Sequence, residues 1–379
     1  MSAEVTGADC RWLPTGDEFF AALLAAVNAA TQSVCFETYI YAAGQPGEGL
    51  REALVNARKR GVRVRVLIDA FGSYWLPAAF WEPLLSTGGE VRLFNPLALH
   101  RLGFRDHRKL VVCDDRVAFV GGFNITPEYA GDGVTRGWRD LGLRIEGPLA
   151  LQLVAAFEEM FTRADFQHNR FLRLRRSSPR HPLMSSGEHL LLSGPGRGRN
   201  PIKRALLRDL ADAGSVQLMV GYFLPPLRLR RQLVRLARRG GAVELILPGK
   251  SDVAVSLLAA RSLYRRLLKS GVEIDEYQPQ ILHAKLFIID DVVYVGSANL
   301  DQRSFNINYE LMVRFRSPEV AAQAREIFRA SLSHCRSISL EEWCSSRSLW
   351  QRIKARVAYF LLVRMDPYLA RRQWRALRD

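Results

Sequence analysis

The sequence of 379 residues lacks the patterns of a zinc-binding, disulfide-bonded or membrane-spanning protein. Its five cysteines are scattered and form no Cys-x-x-Cys or Cys/His pair at zinc-ligand spacing, so we expect reduced thiols and no metal site. No apolar run reaches the length of about 18 residues that a transmembrane helix needs, and the first residues include acidic side chains without an apolar signal core. We therefore expect a protein without a spanning segment in a reducing compartment.

Acidic residues are few relative to basic ones. The chain has 54 Lys and Arg against 38 Asp and Glu, a net charge of +16. This excess predicts a polyanionic partner, either nucleic acid or an anionic membrane surface, and composition does not choose between them. Hydrophobic residues make up 48% of the chain, which excludes a disordered protein, and the length is sufficient for two domains or more.

The second part of the chain repeats the first. Five segments recur in the same order, and they pair as SVCFETYIY (33–41) with SVQLMVGYF (215–223), RGVRVRVLI (60–68) with RGGAVELIL (239–247), LLSTGGEVRLFNP (84–96) with LLKSGVEIDEYQP (267–279), HRKLVVCDDRVAFVGGFN (107–124) with HAKLFIIDDVVYVGSAN (283–299), and DLGLRIEGP (140–148) with ELMVRFRSP (310–318). Helical patterns alternate with short β-branched runs in both copies. The alternation predicts mixed α/β sheets in two pseudo-symmetric halves.

We predict four segments along the chain. The first half covers residues 1–165 and the second covers 201–335, joined by a basic linker, 166–200, that is rich in Arg, Ser, Pro and Gly. A basic C-terminal tail, 336–379, carries an apolar stripe at helical spacing, formed by Trp350, Ile353, Val357, Phe360 and Leu361. Such a helix favours membrane association, and the alternative is a helix docked on the core with its arginines in solvent.

Each half places a histidine and a lysine two residues apart on a predicted strand. These are His107 with Lys109, and His283 with Lys285. Positions i and i+2 of a strand share a face, so the imidazole and the ammonium group of each pair would point into the same space. Two such pairs facing each other suit phosphoryl transfer without a metal. One neutral histidine would attack phosphorus while the other, protonated, donates to the leaving oxygen.

An asparagine follows on the next predicted strand of each half. Asn124 comes after a Gly-Gly pair and Asn299 after a Gly-Ser pair. We expect the small residues to let a substrate approach the backbone closely. We also expect the asparagines, with the lysines, to hold the nonbridging phosphate oxygens.

The pattern HxKxxxxD followed by GGxN or GSxN, present twice, resembles the phospholipase D superfamily with its paired HKD motifs. The resemblance implies two α/β/α halves with the active site at their interface, lined by the His and Lys of each motif, and no cofactor. Asp114 and Asp290 complete the motifs. We include them among the predicted catalytic residues, although the resemblance implies that the role of the motif aspartate is mainly structural. Asp140 and Glu310 correspond to the acidic residues that orient the histidines in that family. The resemblance also implies that His107 is the nucleophile.

Two longer segments, GWRDLGLRIEGP (137–148) and GSANLDQRSFNINYE (296–310), resemble the bacterial cardiolipin synthases of that superfamily, specifically the short type without spanning helices. This implies phosphatidyl transfer between two phosphatidylglycerol molecules with release of glycerol. The implied partners are anionic phospholipids and the membrane surface, and the implied location is peripheral, on the cytoplasmic face of a bacterial inner membrane. A phospholipase D-type hydrolase and a nuclease or phosphodiesterase acting on nucleic acid stay open as alternatives. A non-catalytic membrane module is disfavoured because both motifs are complete, and the sequence predicts no oligomeric state.

Overall fold

Two mixed β-sheets make up the framework of the computed structural model, which describes residues 9–96, 103–164, 188–195 and 200–365. The first half contains β1 (Asp9–Leu13), α1 (Gly16–Ala29), β2 (Ser33–Thr38), α2 (Gly47–Lys59), β3 (Arg63–Asp69), α3 (Glu82–Ser86), β4 (Glu90–Phe94), β5 (Leu110–Cys113), β6 (Val117–Gly121), β7 (Gly142–Glu146) and α4 (Pro148–Thr162).

The second half repeats this order with some additions. It contains β8 (Glu188–Ser193), α5 (Pro201–Asp209), β9 (Ser215–Val220), α6 (Leu227–Arg238), β10 (Ala242–Pro248), α7 (Ala254–Arg261), α8 (Tyr264–Leu268), β11 (Glu273–Tyr277), β12 (Lys285–Ile289), β13 (Val292–Gly296), α9 (Gln302–Asn306), β14 (Glu310–Arg316), α10 (Pro318–Leu332), β15 (Cys335–Ser337), α11 (Leu340–Ser345) and α12 (Leu349–Phe360).

The strand order confirms the predicted mixed α/β fold in two related halves. The first sheet runs β1-β7-β6-β5-β2-β3-β4, and the second runs β8-β14-β13-β12-β9-β10-β11-β15. The strands β2, β3 and β4 of the first sheet are parallel, as are the corresponding strands β9, β10 and β11 of the second, and the other strand pairs are antiparallel. The sequence repeat is therefore a repeat of one folding unit.

One apolar core is shared by the two halves. It combines inward-facing residues of both sheets with those of α4 and α10, including Leu153, Phe157 and Phe328, all fully buried. Each sheet also covers a second core on its outer face, formed with α1 and α2 in the first half and with α5 and α6 in the second. Because both faces are covered, central strands such as β5 and β12 are apolar without alternation. This packing holds the two halves in a fixed arrangement.

Most of the predicted linker, 166–200, lies outside the described residues. Its described part includes β8, which pairs with the edge strand β14 of the second sheet, so this stretch belongs to the second half rather than to a connection. The described part of the tail forms α11 and α12 and ends in a π-helical turn, Leu361–Met365. Residues 366–379 are not among the described residues. Among the described residues, no helix combines the length and apolarity needed to cross a membrane.

An aspartate fastens the turn after β5 to the chain entering β2. The Asp114 carboxylate accepts hydrogen bonds from the backbone N–H groups of Thr31 (2.9 Å), Gln32 (2.7 Å) and Ser33 (3.0 Å). In the second half Asp290 accepts in the same way from Gly214 (3.1 Å) and Ser215 (2.8 Å). Both aspartates adopt positive φ, 53° and 47°, which tightens the turn between the two strands.

Replacing Asp114 with Ala should lower the free energy of unfolding by about 1–3 kcal/mol, because three backbone donors lose a charged acceptor. Burial raises the pKa of Asp114, but the N–H groups of Ser33, Thr31 and Gln32 together outweigh it and hold the pKa below its usual value. The stabilisation should therefore be complete near neutral pH and decline as pH falls below about 4. Urea unfolding followed by circular dichroism measures the difference.

Asp115→Ala is the matched control. Asp115 also has a positive φ, 55°, so alanine meets the same backbone strain, but its carboxylate accepts only a 3.3 Å hydrogen bond from the Ser33 hydroxyl. Equal losses of stability in the two variants would contradict the bracing role of Asp114.

Candidate active site

The backbones of the two halves meet at the histidines. The His107 N–H donates to the Tyr309 carbonyl at 3.0 Å, and the His283 N–H donates to the Arg139 carbonyl at 2.7 Å. Each contact is part of a short parallel bridge between the segment before one histidine and the segment before the acidic residue of the opposite half. The pseudo-twofold arrangement of the halves thus brings His107 to the start of β14 and His283 to the start of β7.

Each histidine is paired with the carboxylate of the other half. His107 Nδ1 lies 3.0 Å from Glu310 Oε2, and His283 Nδ1 lies 2.6 Å from Asp140 Oδ2. All four side chains are buried. A carboxylate on Nδ1 fixes the tautomer that leaves the Nε2 lone pair free, and it supports positive charge on the ring. The geometry therefore provides two oriented imidazoles.

The small residues before each asparagine make room for these carboxylates. A Cβ atom on Gly122 would lie 2.1 Å from Asp140 Oδ1, so only glycine fits there. Its counterpart Ser297 donates its hydroxyl to Glu310 Oε2 at 2.5 Å. Our expectation that these residues let a substrate approach the backbone was therefore wrong: they accommodate one carboxylate and hydrogen-bond the other.

The two carboxylates differ in charge state. Burial raises the pKa of Asp140, but His283 and Lys285 outweigh it and hold the pKa below the usual value, so Asp140 is ionised. Burial raises the pKa of Glu310 to about 7, against the opposing effects of Lys109 and of the serine hydroxyls bonded to it. At neutral pH only Asp140 is a full anion, so the two histidines do not have equivalent support.

The histidines themselves are held neutral. Burial and the charges of Lys109 and Lys285 lower the pKa of His107 well below its usual value. Burial and Lys285 lower the pKa of His283 to about 4, although Asp140 opposes the change. A neutral imidazole is the nucleophilic form, so both rings are in the protonation state that attack on phosphorus requires.

The lysines lie behind the histidines rather than on the cavity wall. Lys109 Nζ donates to the His107 carbonyl at 2.7 Å, and Lys285 Nζ lies 2.8 Å from His283 Nδ1 and donates to the His283 carbonyl. Burial lowers the pKa of Lys109 to about 7 and that of Lys285 to about 8. They supply positive potential at the centre, which loses strength as pH rises through 7 to 8.

The two asparagines have different environments. Asn124 Nδ2 donates to the Tyr129 hydroxyl at 2.8 Å, and that hydroxyl lies 3.2 Å from His283 Nδ1. Asn124 therefore positions a tyrosine beside the histidine. The buried Oδ1 of Asn299 has no hydrogen-bond partner among the described residues, and its side chain lines the cavity. Asn299 thus offers a free acceptor oxygen in the cavity, which suits a hydroxyl group of a bound substrate.

A cavity of about 750 Å³ opens between the two halves. Of the ten residues selected from the sequence, four line it: His107, His283, Asn124 and Asn299. The lysines, Asp140 and Glu310 lie behind this wall. Asp114 and Asp290 follow the ends of β5 and β12, opposite to the ends at which the histidines and lysines lie. The structure therefore does not bring them to the site. No cluster of three His, Cys, Asp or Glu side chains suited to a metal occurs among the described residues.

Several residues that line the cavity were not singled out from the sequence. They include two tyrosines, a tryptophan and two arginines, namely Tyr39, Tyr222, Trp138, Arg105 and Arg303. The Tyr39 ring lies 5.0 Å from that of His107, and the rings of Trp138 and Tyr222 lie 5.8 and 6.0 Å from that of His283. The available signal was that the tyrosines lie in the first repeated segment and that Arg105, Trp138 and Arg303 lie within four residues of a residue selected from the sequence.

A family model and similar proteins of known name agree on one family. A family model described as "Cardiolipin synthase, PLD-like domain" matches residues 23–164 and 206–332. Over 353 residues the chain is 32% identical to "Major cardiolipin synthase ClsA" of Bacillus subtilis, covering 91% of this chain and 73% of that protein. It is also 32% identical over 366 residues to "Cardiolipin synthase B" of Salmonella typhimurium, covering 94% and 88%.

Solved structures share the fold at low sequence identity. The phosphatidylserine synthase of Haemophilus influenzae superposes with a TM-score of 0.75 at 15% identity, covering 95% of this chain and 94% of that one. Polyphosphate kinase of Porphyromonas gingivalis gives 0.59 at 14% identity, covering 97% of this chain and 53% of the other. These likenesses support the two-halved architecture.

The unequal carboxylates should give unequal mutational effects. Asp140→Asn should lower phosphodiester turnover about 100-fold or more, because the His283 imidazolium loses its only full anion. Glu310→Gln should lower it about tenfold, since Glu310 is partly protonated at neutral pH. Rates between pH 5 and 9 should also vary less near pH 7 in Glu310→Gln, which no longer titrates there. Equal losses with unchanged pH profiles would contradict the assignment of charge states.

Proposed function

Because this chain belongs to the phospholipase D-like cardiolipin synthase family, we propose that it transfers a phosphatidyl group from one phosphatidylglycerol to a second, forming cardiolipin and releasing glycerol. The observation that carries the proposal is the pair of oriented histidines, one from each half, facing one cavity. Two imidazoles are the minimum for a transfer that passes through a covalent intermediate, one to bond phosphorus and one to move protons.

We assign His107 as the nucleophile and His283 as the acid and base. His107 is neutral and its carboxylate partner Glu310 is only partly ionised at neutral pH, which suits attack by Nε2. His283 cycles through the imidazolium form, which the ionised Asp140 supports. An anionic phosphodiester between the rings raises the pKa of His283 and makes it a competent acid.

In the first step His107 Nε2 forms a bond to phosphorus, and the bond from phosphorus to the glycerol oxygen breaks. His283 gives its proton to that oxygen, and glycerol leaves. In the second step the hydroxyl of another phosphatidylglycerol gives its proton to His283 and attacks phosphorus, and the bond to His107 breaks. The buried charges of Lys109 and Lys285 and the amide of Asn299 stabilise the negative charge that develops on the nonbridging oxygens.

His107→Ala and His283→Ala should each lower cardiolipin formation at least about 10³-fold, because the first removes the nucleophile and the second removes the group that moves protons in both steps. The test incubates purified protein with phosphatidylglycerol vesicles and identifies the lipids by mass spectrometry. His334→Ala, an exposed histidine away from the cavity, is the matched control and should keep wild-type activity.

Other products would overturn the proposal in identifiable ways. Phosphatidic acid without cardiolipin from the wild-type protein would make it a hydrolase. No lipid turnover, together with cleavage of a nucleic acid, would make it a nuclease. Full activity in either histidine variant would refute the assigned pair.

The C-terminal helix α12 provides a surface for membrane contact beside the cavity. It packs on α7 through its small residues Ala355 and Ala358, which are buried, and Leu362 just beyond it lines the cavity. The opposite face exposes the apolar stripe predicted from the sequence, with Trp350 64% and Phe360 57% exposed. The helix is therefore docked on the core and still presents its large apolar side chains to the exterior.

The charge of this helix suits an anionic bilayer. Arg352, Lys354 and Arg356 are exposed around the stripe, and each basic residue near an anionic surface contributes roughly 1 kcal/mol to binding. A further exposed aromatic residue, Trp75 (89% exposed), lies four residues after Phe71 of the cavity wall. We propose that the protein sits peripherally on the cytoplasmic face of a bacterial inner membrane with α12 in the interface and the cavity mouth towards the lipids.

The double variant Trp350→Ser, Phe360→Ser should bind liposomes of phosphatidylglycerol at least about tenfold more weakly, because it removes two interfacial aromatic side chains. Flotation on a density gradient measures the binding. The control is Leu24→Ser, Leu151→Ser, which removes two exposed leucines on α1 and α4 that do not line the cavity. Equal binding by the two double variants would refute the interfacial role of α12.

A further inference from the structure

The cavity has opposite charges at corresponding positions of the two halves. In the repeat alignment Arg303 occupies the position of Glu128, and both side chains line the cavity. Arg105 lies two residues before His107, and its counterpart two residues before His283 is Ile281. Arg105 and Arg303 form the basic part of the cavity wall, and the carboxylates of Glu128, Asp252 and Asp301 also line the cavity. The repeat by itself would not produce this difference.

Arg105 is a buried cation on the cavity wall. It is only 6% exposed, its guanidinium lies 3.7 Å from the centre of the Phe71 ring, and Nη1 donates to the Phe104 carbonyl at 2.7 Å. Among the described residues it forms no ion pair with a carboxylate. Asp69 is near enough to favour its charge but accepts its own hydrogen bonds from backbone N–H groups. A buried guanidinium without a paired anion is unfavourable unless a ligand supplies one.

Arg303 brings a second cation from the other half. It follows Asp301, which caps α9, and its Nη2 donates to the Gly103 carbonyl at 3.2 Å across the interface. Burial lowers the pKa of Arg105, and the charge of Arg303 lowers it further. Two repelling cations on one wall are stabilised together by an anion placed between them.

This basic wall adjoins the reacting centre. The ring of Tyr39 lies 5.0 Å from the ring of His107, and the Tyr39 hydroxyl interacts with Arg105. Arg105 thus contacts the tyrosine that packs beside His107, and Arg303 is close enough to His107 for its charge to lower the pKa of that histidine. Both arginines line the same cavity as the two histidines, so a second phosphate of the reacting pair can lie against them.

We infer that Arg105 and Arg303 bind the phosphodiester of the acceptor phospholipid. The inference rests on the proposed function, in which the acceptor is a second phosphatidylglycerol. Its attacking hydroxyl is separated from its own phosphate by a three-carbon glycerol bridge, so the hydroxyl reaches phosphorus at the centre while the phosphate lies against the arginines. Water and free glycerol carry no such anion. The arginine pair therefore favours a phospholipid acceptor over water and directs the intermediate to synthesis.

A competition between acceptors tests this inference. Phosphatidylglycerol vesicles are incubated with deuterated glycerol, so that the same intermediate yields either cardiolipin or deuterated phosphatidylglycerol. Arg105→Gln and Arg303→Gln should each lower the ratio of cardiolipin to deuterated phosphatidylglycerol at least about tenfold, because only the phospholipid acceptor loses a charge-assisted contact. Arg105→Lys should restore part of the ratio, and the glycerol exchange in each sample shows that the variant is folded and active.

Arg116→Gln, an exposed arginine in the β5–β6 turn, is the charge-matched control and should leave the ratio unchanged. If both products fall in parallel in Arg105→Gln and Arg303→Gln, or if neither changes, the arginines do not select the acceptor and the inference is refuted while the proposed function stands. If the wild-type protein exchanges glycerol but forms no cardiolipin, the proposed function itself fails and the inference fails with it.

Discussion

The crossed pairing of histidines and carboxylates is the constraint on which the site depends. His107 of the first half requires Glu310 of the second, and His283 requires Asp140 of the first. Neither half holds a complete imidazole and carboxylate pair by itself. The shared core around α4 and α10, together with the backbone bridges at the histidines, keeps the two halves in register. A shift of one half by a fraction of a hydrogen bond length would disturb both pairs at once.

Burial sets the electrostatic state of this site. Removing the two lysines and two histidines from water lowers all four pKa values, so the site holds less positive charge than its composition suggests. An anionic phosphodiester raises the pKa values of the lysines and of His283, whose imidazolium form Asp140 supports, whereas His107 reacts in its neutral form. The site therefore acquires its catalytic protonation state on binding the substrate, and Asp140 is the one member whose charge is already fixed.

The fold and the central residues could be predicted because the chain is duplicated. Matching segments in matching order identified the strands of both sheets and selected the two histidines that line the cavity. The alignment could not show that each carboxylate pairs with the histidine of the other half. It matches Asp140 with Glu310, and this match is equally compatible with pairing inside one half and with pairing between the halves. The burial of the lysines and the space that Gly122 leaves for Asp140 depend on packing between the halves. No pattern within one segment contains that information.

The departures from symmetry explain how a duplicated site can treat its two substrates differently. A perfectly symmetric cavity would bind donor and acceptor alike and would have no preferred nucleophile. Tyr39, beside His107, corresponds to Gly221, where a Cβ atom would lie 2.8 Å from the Leu282 carbonyl oxygen, so the second half has no space for an equivalent ring. Arg303 and Glu128 differ in sign at one aligned position. These differences surround the histidines without altering them, so the chemistry remains common to both halves while substrate placement becomes directional.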